Sequence, residues 1–116
     1  MRRNDLSGST LNFLILKALD SGAEHGYGIA RWVEAVTEDA LSLEEGSLYP
    51  ALHRLEKRGW LESRWGKSEN NRSAKFYRLT GKGRRQLAKE HENWNRLSAA
   101  IVKVAMAGPR AAEGEG

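Results

Sequence analysis

Apolar residues recur along this chain with a period near 3.6, then near two, then near 3.5. Leu11, Leu14, Ile15, Ala18 and Leu19 share one helical face. Ser9 or Thr10 is placed to cap that helix and Gly22 to end it. A second stripe, Ile29, Trp32, Val33 and Val36, follows the turn Glu24-His25-Gly26-Tyr27-Gly28 and predicts a helix from about Tyr27 to about Glu38. Ser42-Leu43-Glu44-Glu45 reads as a capping box opening a third helix with Leu48, Ala51, Leu52 and Leu55 on its apolar face and Gly59 at its end. Pro50 removes one backbone donor from this segment, so either the helix proper starts near Gly46 or its first turn is distorted.

After Gly59 the period changes. Trp60 to Lys67 is aromatic-rich and roughly alternating, Asn70-Asn71 signals a turn, and Ala74 to Leu79 alternates again, which predicts a β-hairpin with a polar, basic tip. Thr80 is then placed to cap a long last helix, from about Lys82 to Met106. Leu87, Trp94, Leu97, Ile101 and Val104 fall at a and d positions of a heptad pattern, with Glu90 the one polar d. Such a helix is about 37 Å long, more than a domain of this size can bury against itself, so a second copy of the chain is the expected cover for its stripe. Residues 108–116, rich in glycine and small residues, are expected to form a disordered tail.

A chain of 116 residues allows one domain, with 40% hydrophobic and 29% charged residues. Without cysteine it has no disulfide framework, thiolate metal site or thiol nucleophile. No apolar run approaches the roughly 20 residues needed to cross a bilayer, and the start lacks a signal-peptide pattern. A cytoplasmic protein without membrane partners is expected. The net charge of +4 is unevenly spread: residues 20–52 carry −6 and residues 53–89 carry +9. A basic block of this kind attracts anionic polymers.

The overall class is mostly α with a small β-hairpin (α+β). Three helices followed by a hairpin is the order of a winged helix-turn-helix, in which the third helix enters the DNA major groove and the hairpin, or wing, lies beside it. The basic block covers the end of the third helix, the wing and the start of the last helix. The runs Gly26-Tyr27-Gly28-Ile29, Leu43-Glu44-Glu45-Gly46-Ser47-Leu48-Tyr49-Pro50-Ala51-Leu52-His53-Arg54-Leu55-Glu56 and Tyr77-Arg78-Leu79-Thr80-Gly81-Lys82-Gly83 resemble the PadR family of transcriptional regulators. The resemblance covers about residues 6–106 and is most specific in the second run. It implies a homodimeric winged-helix repressor of the short subfamily, with one C-terminal helix for dimerisation and, in some members, direct binding of a small aromatic or drug-like inducer. The implied division is a DNA-binding domain at 6–80, a dimerisation helix at 81–107 and the tail.

Carried onto this chain, the resemblance sets Ser47, Tyr49, Pro50, His53 and Arg54 on the recognition helix and Tyr27 near the DNA backbone; Lys57 is a further DNA-binding candidate. On the wing, Lys67, Asn70, Asn71, Arg72 and Lys75 are the candidates. Hydroxyls suit phosphate oxygens, while Arg54 or His53 can reach a base edge. Tyr27 and Tyr49 are equally suited to packing between helices, and Arg54 to pairing with Glu56. Trp32, Trp60 and Trp65 are expected in the core. Trp94 either anchors the dimer interface or stacks on a flat ligand there, as aromatic residues do in drug-responsive relatives.

Catalysis finds no support in the sequence. His25, His53 and His91 lie on different elements without metal-ligand spacing, no nucleophile elbow or phosphate-binding loop is present, and no cofactor is expected. Two other classes of function remain open: a winged-helix module that binds protein or RNA, and a small-molecule-binding dimer with secondary DNA binding. For the main reading, the expected partner is double-stranded DNA with a pseudo-palindromic operator.

Overall fold

Why the chain enters its first helix where it does is settled by Ser7, one turn before the expected caps. In the computed structural model, which describes residues 6–111, Ser7 is extended and its hydroxyl accepts from the Thr10 amide, so Ser9 and Thr10 lie inside α1 (Gly8–Ala18). The second helix, α2 (Gly26–Val36), is capped by an unexpected residue: His25 Nδ1 accepts from the Gly28 amide at 3.0 Å. Just before it, Glu24 and His25 form a two-residue strand, β1, too short to leave a periodic signal in sequence.

The third helix, α3 (Glu45–Lys57), starts near Gly46, as one of the two readings of Pro50 required. Its N-cap is Glu44 rather than Ser42, and the Glu44 side chain makes no cap hydrogen bond. Leu43 is buried in the non-helical segment just before the helix. At the other end Gly59, with φ of 79°, closes the helix: the Gly59 amide donates to Glu56 and the Trp60 amide to Leu55, the paired bonds that satisfy the last carbonyls.

The wing is β2 (Leu61–Lys67) and β3 (Ser73–Leu79), paired antiparallel from Leu61↔Leu79 to Lys67↔Ser73. β1 pairs with the outer side of β3, giving a three-stranded sheet in the order β1-β3-β2. Thr80 caps α4 (Gly81–Met106) as expected, accepting from the Gly83 amide. The observed class is therefore α+β: four helices and a small antiparallel sheet. Residues 108–111 carry no helix or strand, and the rest of the expected tail lies outside the described residues.

The core joins Ile15, Leu16 and Leu19 of α1, Ile29 and Val33 of α2, and the whole apolar face of α3 to Leu61, Tyr77 and Leu79 of the sheet. Leu87 of α4 completes it at 7% exposure, so the first residue of the heptad stripe packs inside its own chain. Beyond it, α4 runs out of the core: Trp94, Leu97, Ile101 and Val104 are all exposed, and the molecule extends 67 × 35 × 21 Å. Two tryptophans expected inside are also outside. Trp32 is 42% exposed and Trp65 68%, because they face the hollow between α2 and the wing rather than the core; of the three, Trp60 alone packs against it. Val36, at the end of the second stripe, is exposed as well.

Candidate nucleic-acid interface

On α3 the core-facing set Leu48, Ala51, Leu52 and Leu55 leaves Ser47, Pro50, His53, Arg54 and Lys57 together on the opposite face, and all five are exposed. Pro50 in the second turn lacks the amide that would bond the Gly46 carbonyl, but its fixed φ suits a helix and its ring faces solvent. Arg54 and Lys57 occupy the last turn, where cations oppose the negative end of the helix dipole. Arg54 is not paired with Glu56. That carboxylate is bound instead to the wing, accepting from the Ser63 hydroxyl at 2.6 Å and lying 3.7 Å from Lys75 Nζ.

Tyr49 packs between helices, one of the two roles that sequence left open, while Tyr27 stays at the surface. The Tyr49 ring packs over Gly26, where a Cβ would sit 2.6 Å from the ring edge, while the residue keeps 43% of its surface exposed. It is both an interhelix wedge and a surface group. Burial, then the charge of Glu45, raises its phenol pKa. Tyr27 is 60% exposed and does not pack inside. Its hydroxyl accepts from Arg31 at 2.9 Å, and the guanidinium also lies 5.6 Å from the ring centroid. This α2 arginine escaped sequence reading. The i,i+4 spacing from Tyr27 was the available signal.

The wing turns at Asn71, with φ of 60°, and the Asn71 amide donates to the Ser68 carbonyl. Lys67 and Arg72 are exposed beside this turn. Lys75 differs: it pairs with Glu56 and lies 5.9 Å from the Tyr77 ring centroid. Other cations of the basic block also have local partners. Arg78 pairs with Glu62, Arg84 with Asp20, Lys82 donates to the Arg58 carbonyl, and Arg58 covers Trp60. Arg54, Lys57, Lys67 and Arg72 make no ion pair among the described residues, so their charge is available to an anion.

Between α2 and the wing runs a groove of about 1000 Å³. Tyr27, Arg31 and Trp32 form one wall, Trp65, Arg72 and Lys75 the other, with Tyr49 also lining it. Trp32 and Trp65, misread as core, are thus surface aromatics flanking cations. The hollow joins exposed rings to arginine and lysine, with the carboxylates of Glu24 and Glu69 also in its lining. No group of three or more metal-ligating side chains occurs among the described residues, and no helix there is long and apolar enough to cross a membrane.

Comparison with known proteins gives this geometry its context. A family model described as the transcriptional regulator PadR-like family matches residues 15–89. A transcriptional regulator from Clostridium thermocellum is 28% identical, with a TM-score of 0.73 over 82% of this chain and 92% of its own. A PadR-like transcription factor from Bacteroides fragilis is 27% identical, with a TM-score of 0.68 over 84% and 91%. A Streptococcus mutans protein superposes with a TM-score of 0.79 at 25% identity, over 96% of this chain and all of that one. The family match runs from the last turn of α1 through α2, α3 and the wing to the root of α4, and the chain belongs to the PadR-like family of transcriptional regulators.

Proposed function

We propose that the protein acts as a homodimeric repressor of a neighbouring operon, reading a pseudo-palindromic DNA site and released by a small aromatic or drug-like ligand. The observation that carries the DNA reading is the α3 face: five exposed residues on one side of a helix, with Arg54 and Lys57, like Lys67 and Arg72 on the wing, free of ion pairs among the described residues. In this reading α3 of each protomer enters a major groove, Ser47 and Tyr27 contact phosphates, and His53 or Arg54 reads a base edge. Residues 6–80 are the DNA-binding unit, and α4 is the dimerisation helix.

The exposed seam Trp94, Leu97, Ile101 and Val104 supports dimerisation, since an apolar stripe at heptad spacing is covered when a second helix packs on it. Two-fold symmetry then sets the recognition helices about one helical turn of DNA apart, some 34 Å. The ligand reading rests on Trp94, whose ring stacks on Phe13 at 6.2 Å and keeps 40% of its surface exposed at the same seam. The preceding residue, Asn12, holds a buried side-chain oxygen with no hydrogen-bond partner among the described residues. A ligand bound there releases DNA only by favouring one arrangement of the two protomers over the other.

Selection of duplexes from a randomised pool tests the function. Enrichment of a two-fold-related sequence with half-sites about one turn apart is the expected result. Failure to enrich any duplex, with RNA or protein captured instead, would overturn it. For the ligand, quenching of tryptophan emission by planar aromatic compounds is expected to weaken in Trp94→Phe; unchanged quenching there would move the ligand elsewhere.

A further inference from the structure

We propose that Glu56 is a positioning residue: it fixes the angle of the wing against α3, and through that angle the choice of DNA sequence. The inference rests on the duplex-reading function above. Among the described residues, the only polar side-chain contacts between α3 and the hairpin are made by this one carboxylate, and it holds both strands. Its Oε2 accepts from Ser63 on β2, and its Oε1 faces Lys75 on β3. Ser63 lies across from Tyr77, and Trp65 across from Lys75, so the two contacts grip neighbouring rungs on one face of the ladder. Tyr77 is buried beneath them, its phenol pKa raised by burial first and then by the Glu56 and Tyr49 charges.

This clamp sits at the root of a lever. From the Ser63–Tyr77 rung to the last paired rung, Lys67–Ser73, is four residues, about 13 Å of strand, so a tilt of about 10° at the clamp moves that end of the wing by about 2 Å. That displacement exceeds the tolerance of a hydrogen bond, and Lys67, Arg72 and Asn71 ride on the moving part. α3 reads the sequence while the wing holds the phosphates, so both must fit one duplex at once for the correct site to be favoured. A loose wing still attracts phosphate, but it no longer rewards the geometry of one site over another.

The charge of Glu56 gives the proposal a sign that simple electrostatics does not share. An acid in a basic DNA-binding face repels phosphate, so its removal alone strengthens binding to every duplex. As a clamp, Glu56 favours the correct duplex by more than its repulsion costs. In Glu56→Gln, binding to a scrambled duplex is expected to tighten about twofold, while binding to the duplex enriched by the wild-type protein weakens about fivefold. The selectivity ratio then falls about tenfold. Ser63→Ala changes no charge and leaves scrambled binding unchanged. It too is expected to lower the ratio, and the two substitutions together should cost less than their sum, because they break one contact.

The test is fluorescence anisotropy of the full-length variants on both duplexes, with thermal unfolding to establish that each is folded and hydrogen exchange of the wing amides as the direct readout of position. Lower selectivity in both variants, with faster exchange in β2 and β3 and an intact core, is the expected result. Selectivity kept in both, or equal tightening on both duplexes in Glu56→Gln, would overturn the clamp. A wild-type protein that selects no duplex would overturn the underlying DNA reading instead, so the two failures are distinguishable.

Discussion

At Gly83 the first turn of α4 touches the wing so closely that a Cβ would run into the Trp60 carbonyl oxygen and lie 3.3 Å from Leu79. Backbone cannot yield as a flexible side chain does, so Gly83→Ala is expected to destabilise the fold by about 2–4 kcal/mol. Gly46, inside the first turn of α3, faces open space, and Gly46→Ala is expected to stabilise by about 0.5–1 kcal/mol. Urea unfolding of both variants checks the pair, and equal effects of one sign would contradict it. The tyrosines give a pH dependence. Burial raises the phenol pKa of both Tyr49 and Tyr77, so the folded chain holds these protons longer than the unfolded one. Stability is full below the unfolded value of about 10 and falls as pH rises beyond it. Urea midpoints from about pH 9 to about pH 11 should therefore decline, and a flat profile would count against the burial of Tyr77. The core positions of α3 were legible from spacing alone. Trp32 and Trp65 were not, since hydrophobicity does not tell a side chain that faces the core from one that faces an open groove.

α4 shows how far an element can be read from pattern. Its start at Thr80, its end near Met106 and its heptad stripe all follow from the sequence, but the stripe is divided: Leu87 belongs to the chain's own core, and Trp94 onward faces solvent. The division depends on how far the rest of the chain reaches along α4, a tertiary fact that no local pattern records. Removing residues 84–116 would for that reason damage the core as well as the seam. Ile101→Glu is the cleaner test, because Ile101 is 53% exposed. It is expected to give folded monomers with weakened DNA binding, measured by sedimentation equilibrium; a dimer of unchanged affinity would refute the seam. β1 was illegible for a different reason: two residues carry no period, and their strand exists only because β3 offers an edge beside them. The start of α3 falls later than the Ser42 motif indicated, after a non-helical segment that buries Leu43.

At the scale of the molecule, the charge map overstated how much of the basic block is free. Residues 53–89 carry +9, yet Lys75, Arg78 and Arg84 are paired with acids, Lys82 is bonded to a backbone carbonyl and Arg58 lies over Trp60. What remains is a smaller set, Arg54, Lys57, Lys67 and Arg72 among them, arranged along α3 and the wing. Which cations stay free depends on neighbours brought in from distant parts of the chain, and that is why counting alone could not separate them. Two protomers joined through α4 would present two such sets. The most direct test of this account is anisotropy of the full-length protein on the duplex upstream of its own gene, against a scrambled duplex, across a salt series. A selective complex of two chains per duplex is predicted, with log affinity falling steeply against log salt, as expected for about six to ten phosphate contacts. Equal, weak binding to both duplexes, or one chain per site with a shallow salt slope, would contradict it.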